Sequence, residues 1–157
     1  SGRVTKQTHK INSGNEEVIA QNTYDGLGQL KNKKVGNTVA NPLQTIDYTY
    51  NVRGWLKQIN NPASLGIDLF AYKLNYNTVN HSGTKLYNGN IAETEWKTAS
   101  DNTLRWCRYG YDDLNRINSA INNSSNYNLT SVGYDKNGNI TNLTRRGQLN
   151  PGATSFG

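Results

Sequence analysis

Two glutamates, two positions apart, are the residues whose types and spacing most directly suggest chemistry. Glu93 and Glu95 would point to the same face of a strand, because side chains alternate along an extended chain. A glycosidase needs two carboxyl groups about 5 to 9.5 Å apart, and strand neighbours at this spacing fall near that range. The interpretation we favour is a solvent-facing strand whose glutamates pair with lysines such as Lys97. We therefore predict no catalytic residues.

Residues that could bind a metal or act as a nucleophile are few and widely separated. Neither His9 nor His81 has a spaced partner of a ligand type, and no Cys-x-x-Cys, His-x-x-x-His or EF-hand run occurs. Cys107 is the single cysteine, so no intrachain disulfide can form, and we expect a small buried strand residue. No Walker loop or GxGxxG is present. We predict no metal site and no cofactor.

The three tryptophans are the remaining candidates for ligand contact. Trp55, Trp96 and Trp106 could form a platform for carbohydrate, since aromatic ring faces can stack on the CH groups of sugars. The interpretation we favour is that these rings fill the buried side of a sheet. The platform nevertheless stays the candidate ligand site.

The composition favours short strands joined by tight turns. Only 34% of the 157 residues are hydrophobic and the mean hydropathy is −0.81, so a thick core cannot form. The 10 Tyr and three Trp nevertheless indicate order, because aromatic rings pack well on pleated surfaces. The chain also holds 25 Asn and 15 Gly, the residues that most readily adopt positive φ. We predict an all-β protein.

A seven-residue motif occurs four times along the chain. It reads Tyr, Asp or Asn, two free positions, Gly or Asn, one free position, then Leu or Ile. Its members are Tyr24, Asp25, Gly28 and Leu30; Tyr50, Asn51, Gly54 and Leu56; Tyr111, Asp112, Asn115 and Ile117; and Tyr134, Asp135, Gly138 and Ile140. Two weaker copies begin at Tyr76 and Tyr87. The recurrence predicts a repeat region over 20–147, after an irregular or strand lead-in (1–19) and before an irregular tail (148–157).

Each motif position has a role in a β-hairpin. Apolar residues alternate before the turns, as at Ile46, Tyr48 and Tyr50, which is typical of a half-buried strand. The Asp or Asn can accept hydrogen bonds from nearby amides and start a turn, and the Gly or Asn supplies a left-handed conformation. The Leu or Ile then resumes the returning strand on the tyrosine's face. Because one hairpin is marginal in water, the hairpins are expected to stack edge to edge.

The charge pattern argues against nucleic acid and the hydropathy against membrane insertion. The net charge is +6, but the basic residues form only small clusters, one of Lys31, Lys33 and Lys34 and another of Arg145 and Arg146. A surface that follows phosphates usually needs a contiguous basic stripe. No stretch approaches the 18 apolar residues of a membrane span.

The four motifs resemble the Rhs/YD-repeat family, which includes bacterial Rhs proteins, the shell subunits of Tc toxins and animal teneurins. The segments at 48–56, 87–91, 111–116 and 134–140 are similar to the variety common in Bacteroidetes. The resemblance covers about residues 20–147. It implies a strip of hairpins that curves or spirals into a hollow shell around a C-terminal toxin or, in teneurins, a shell that serves adhesion.

The resemblance leads to a structural expectation for function. We expect a non-catalytic fragment of an Rhs-type shell that encloses or displays another part of a secreted or cell-surface bacterial protein. Its partners would be the remaining repeats and a C-terminal cargo. The Asp-Pro-x-Gly self-cleavage motif is missing, since none of the three prolines follows Asp. The alternatives are a carbohydrate- or partner-binding module at the cell surface and, less favoured, a glycosidase.

Overall fold

A computed structural model describes residues 2–150 and 156–157, in which it contains eleven β-strands and no helix. The predicted all-β fold is confirmed. Those residues accordingly include no helix long and apolar enough to cross a membrane. The strands are β1 Lys6–His9, β2 Glu17–Tyr24, β3 Leu30–Val35, β4 Gln44–Tyr50, β5 Leu56–Ile59, β6 Phe70–Asn75, β7 Glu93–Thr98, β8 Arg105–Tyr111, β9 Ile117–Asn122, β10 Leu129–Tyr134 and β11 Ile140–Arg145.

The chain divides into two compact units. The first unit is Ser1–Lys73 with Lys97–Thr103, and the second is Leu74–Trp96 with Leu104–Gly157. Within each unit the strands are hydrogen-bonded in sequence order and the pairings are antiparallel. These are the antiparallel hairpins that the repeat predicts. A curved or spiralling course of the sheet stays a prediction.

The four motif copies form four hairpins of the same design, β2–β3, β4–β5, β8–β9 and β10–β11. In each hairpin the motif tyrosine pairs directly with the motif Leu or Ile, so both lie on one face, as predicted. In every copy, the residue after the Leu or Ile has no partner on the first strand. This single-residue bulge shifts the register of the returning strand. The pairs are Tyr24↔Leu30, Tyr50↔Leu56, Tyr111↔Ile117 and Tyr134↔Ile140.

The turn of the first copy shows how the motif closes a hairpin. Asp25 Oδ1 accepts the main-chain N–H groups of Leu27 (2.9 Å) and Gln29 (2.8 Å). Gly28 has a φ of +78°, in the left-handed region that favours glycine. The other three copies repeat these bonds with Asn51, Asp112 and Asp135. Their left-handed residues are Gly54, Asn115 and Gly138.

Motif tyrosines also link successive repeats. The hydroxyl of Tyr50 donates to the main-chain carbonyl of Leu30, at 2.9 Å. The hydroxyl of Tyr134 donates in the same way to Ile117, at 2.6 Å. In both cases the acceptor is the aliphatic residue that ends the preceding motif. Each repeat therefore contacts the backbone of the repeat before it through one side chain.

The two weaker copies do not form tight hairpins. Tyr76 and Tyr87 lie in the connection 76–92, which joins β6 to β7 without a strand of its own. Tyr87 starts a copy that lacks two turn residues, and the copy at Tyr76 lacks its aliphatic end, so neither can close the standard turn. The carbonyl of Ile91 still accepts the hydroxyl of Tyr111, at 2.9 Å. The end of the degenerate copy thus keeps its role in linking repeats.

The core is thin in both units, as the low hydrophobic content predicts. Among the residues described, the buried apolar side chains are Val18, Pro62, Leu65 and Ala71 in the first unit, and Leu74 and Ala92 in the second. Polar residues are buried beside them, and in the second unit these include Glu93 and Glu95.

Candidate functional site

The strand pair β7–β8 in the second unit carries different chemistry on its two faces. Directly opposed residues of an antiparallel pair lie on the same side of the sheet, and the side alternates along each strand. One face, named here the carboxylate face, carries Glu93 opposite Arg108 and Glu95 opposite Trp106. The other, named here the groove face, carries Thr94 opposite Cys107 and Trp96 opposite Arg105.

Glu93 is completely buried, and its side chain binds main-chain groups of the connection 76–92. Its carboxylate accepts the N–H groups of Asn80 (2.7 Å), His81 (2.8 Å) and Gly83 (2.8 Å). Burial on its own would raise the pKa of Glu93, but the three amide bonds and the nearby His81 hold that pKa below its usual value. Glu93 is thus an ionised anchor for the loop.

Glu95 is also buried, at 7% exposure. Its Oε1 atom accepts the side-chain amides of Asn75 (2.9 Å) and Asn80 (2.6 Å). The predicted exposure to solvent is therefore wrong for both glutamates, although their shared face is confirmed. The loop 80–83 covers this face. The alternation of residues along a strand cannot predict that a distant loop will bury one of its faces.

His81 joins the loop to the sheet by its ring. The imidazole stacks on Trp106 with ring centroids 4.6 Å apart and planes 7° from parallel. Its Nε2 atom lies 3.4 Å from Glu95 Oε1, within ion-pair distance. That nitrogen is shielded from solvent, and it makes no hydrogen bond to the carboxylate. The contact is thus electrostatic when the ring is protonated.

His81, Glu93 and Glu95 could each offer one ligand atom to a metal, and these atoms lie within 4.8 Å of one another. This group is not evident from the sequence, because His81 precedes Glu93 by 12 residues and the three residues show no recognised ligand spacing. The Glu93 oxygens already accept three amides, and a metal ion would compete with those bonds. The arrangement therefore fits a loop anchor better than a metal centre.

Two tryptophans of the expected ligand platform, Trp96 and Trp106, lie on opposite faces of one strand pair and so do not form a common surface. Trp55 belongs to the first unit, where the guanidinium of Arg53 lies 5.1 Å from its ring centroid. Trp106 lies on the carboxylate face under His81, and Trp96 lies on the opposite, groove face. Trp96 lines an open groove in the second unit.

That groove has a volume of about 390 Å³. The rings of Trp96 and Tyr127 line it together with Asn122 and Cys107. Tyr127 is 50% exposed. Cys107 is half-buried, and burial raises the pKa of its thiol, which makes it a poor nucleophile. The groove offers aromatic faces and amide groups, without a reactive centre.

The motif residues have structural positions in the turns and strands described above. Asp113, which the turn motif leaves without a role, is exposed. No family model matches this chain, and no curated protein matches it. The likeness to YD repeats accordingly depends on the motif residues themselves.

Proposed function

We propose that this chain is a non-catalytic structural segment of a YD-repeat shell in a secreted or cell-surface bacterial protein. The segment would enclose or display another part of that protein, such as a C-terminal toxin. Its mechanism is confinement by a sheet whose repeats fix one another. The carboxylate pair does not favour the glycosidase alternative, because Glu93 has no exposed surface and its oxygens serve the loop.

The observation that carries the proposal is the hydrogen bond between successive repeats. The same bond occurs where no complete preceding motif is present: the hydroxyl of Tyr24 donates to the carbonyl of Val4, at 2.9 Å. Arg3 lies over the Tyr24 ring at 5.7 Å, as Arg116 lies over Tyr134 at 4.4 Å. Gly2-Arg3-Val4 thus corresponds to the end of a motif. These contacts follow the same pattern as those that link the complete repeats.

The proposal is tested on the parent protein purified from its native source. Its intact mass and the peptides at its ends are measured, and the native protein is then exposed to a protease. We expect a parent far longer than 157 residues, with further repeats and a C-terminal segment that resists the protease until the shell is opened by denaturant. A mature protein of about this chain's length, or a C-terminal segment cleaved at once, would contradict the shell.

A second candidate, a carbohydrate-binding module, is favoured by the groove at Trp96. Pockets for small ligands combine apolar surface with a few polar groups, and this groove has both. Asn122 Oδ1 accepts the main-chain N–H (3.0 Å) and the hydroxyl (2.6 Å) of Ser124, which fixes the orientation of its amide. In the described part of the chain, no acceptor pairs with its Nδ2 atom.

Tyr127→Ala tests this alternative, because it removes an exposed ring without opening the core. Chitotriose and cellohexaose are titrated at alkaline pH, where the Cys107 thiol can ionise, and the rate of its alkylation reports occupancy of the groove. Binding that slows alkylation and weakens about tenfold in Tyr127→Ala would support the module. Tyr87→Ala removes a tyrosine that is 66% exposed and does not line the groove, and is the matched control. No protection at about 10 mM sugar would exclude all but the weakest binding.

A further inference from the structure

A second pocket lies on the carboxylate face of the second unit, beside the loop that Glu93 anchors. Its volume is about 220 Å³. The loop 82–84 lines one side, and Arg108 and Gly110 of β8 and Ser119 of β9 line the other. Arg108 pairs with Ile121 and Gly110 with Ser119, so these residues share one face of the sheet. This site is named here the arginine pocket.

Arg108 brings a positive charge to the pocket without an acidic partner. It is half-buried, and no carboxylate in residues 2–150 or 156–157 lies within ion-pair distance of its guanidinium. Its side-chain hydrogen bond is a long one, 3.4 Å, to the carbonyl of His81. Glu93 stands directly opposite on β7, but its oxygens accept the loop amides instead. Arg108 therefore lines an open pocket with no protein carboxylate paired to its guanidinium, which leaves that charge available to an anionic ligand.

Hydroxyl groups complete the pocket. Ser82 and Thr84 line the loop side, and the described residues provide no hydrogen-bond partner for either hydroxyl. Ser82 has a φ of +61°, which the bonds from His81 and Gly83 to Glu93 help to hold. The lining contains no Asp or Glu. An arginine with hydroxyl donors and no acid is the chemistry that recognises oxyanions.

We propose that the arginine pocket binds a phosphoryl oxyanion, either free phosphate or a phosphomonoester. Arg108 would supply the paired N–H donors, and the hydroxyls of Ser82 and Thr84 would supply the neutral ones. Phosphate is preferred to a carboxylate because it presents more acceptor oxygens to donors on both sides of the pocket. This site is independent of the structural role proposed above, so its failure would leave that role untouched.

The test is titration of the full chain with sodium phosphate, followed by amide NMR shifts and calorimetry. We expect saturable shifts at Gly83 and Gly110 that sodium chloride of equal ionic strength does not reproduce. Arg108→Gln should weaken binding at least about tenfold, since a bidentate charged contact is lost. Arg145→Gln removes an exposed arginine of β11 and should leave the affinity unchanged.

Thr84→Val keeps the proposal testable if Arg108→Gln does not fold, because it removes one exposed hydroxyl at constant shape. It should weaken phosphate binding several-fold. Phosphoserine binding more tightly than phosphate would identify the ester as the ligand, and the reverse would identify the free ion. Equal affinity in wild type, Arg108→Gln and Thr84→Val would overturn the site, and so would acetate binding as tightly as phosphate.

Discussion

The turn at Asp25 and the connection 76–92 are both held by a carboxylate that accepts main-chain N–H groups. In the turn, acceptor and donors lie within four residues, and Asn51 performs the same task in the next copy as Asp25 does in the first. In the connection, the donors at Asn80, His81 and Gly83 lie 10 to 13 residues before Glu93. The turn therefore needs a side-chain oxygen, which either Asp or Asn can supply. The connection instead needs a buried negative charge at the position of Glu93.

Replacing acids by amides at both places tests this difference, and Glu93→Gln should have the largest effect. Glutamine has one acceptor oxygen, so its NH₂ group would face a main-chain N–H inside the protein. We expect the free energy of unfolding to fall by about 3 kcal/mol in urea denaturation. Asp113→Asn makes the same chemical change at an exposed side chain and should stay within about 0.5 kcal/mol of wild type. An equal loss in Asp113→Asn would mean that the change from acid to amide destabilises the protein without reference to the loop that Glu93 holds.

Acid should reduce the difference in the free energy of unfolding between the wild-type protein and Glu93→Gln. The folded pKa of Glu93 lies below its unfolded value of about 4.3. Its contribution is therefore complete above pH of about 4.3 and is lost as the pH falls through the folded pKa. We expect the stabilities of the two proteins to converge below pH of about 4 in urea melts at successive pH values. A difference that stays constant to pH of about 2 would mean that the charge of Glu93 is not what holds the loop.

Gly83→Ala should disturb the connection by contact. A Cβ at this position would lie 2.8 Å from Glu93 Oε1 and 2.9 Å from its Cγ, and the three amide bonds keep that side chain from moving away. We expect a loss of about 2 kcal/mol in thermal or urea unfolding. In the Glu93→Ala background the same change should cost much less, because the atoms that it meets are gone. Additive costs would show that Gly83 acts independently of Glu93.

Gly138→Val should disturb a short turn by conformation. Gly138 has a φ of +87°, and a Cβ there would meet nothing within 4 Å. The left-handed backbone is thus the source of the cost, which we expect to be about 1 to 2 kcal/mol. Gly26→Val is the control, since Gly26 also has open space and lacks a positive φ. An unchanged melting temperature in Gly138→Val would contradict the hairpin assignment of this motif.

Asp135→Asn should have the smallest effect. The amide oxygen can accept the N–H groups of Asn137 and Asn139 as Asn51 accepts those of its own turn. We therefore expect no measurable shift of the urea midpoint at pH 7. The hydrogen bond from Asn139 holds the pKa of Asp135 below its usual value, so any residual advantage of the acid should vanish at low pH. A large loss at pH 7 would mean that the turns also depend on charge.

The turns could be predicted from the sequence because every group that closes them lies within the seven-residue motif. Tyr, Asx and Gly have fixed local roles, and the structure bears these out in four hairpins. The Glu93 anchor could not be predicted in this way, since its donors are main-chain amides that any residue would supply. The available signal was the degenerate motif between Tyr76 and Ile91. A segment that cannot close its own turn must be held from outside.

The hydroxyl of each motif tyrosine bonds to the repeat before it, and this has a consequence for how such a gene can change. The acceptor is a main-chain carbonyl, which is present whatever side chain stands there. A whole repeat inserted or deleted at a motif boundary would therefore meet a compatible neighbour on either side. A partial repeat would leave a tyrosine without an acceptor or a strand without a turn. Recombination between copies should thus change the length of the array in whole repeats.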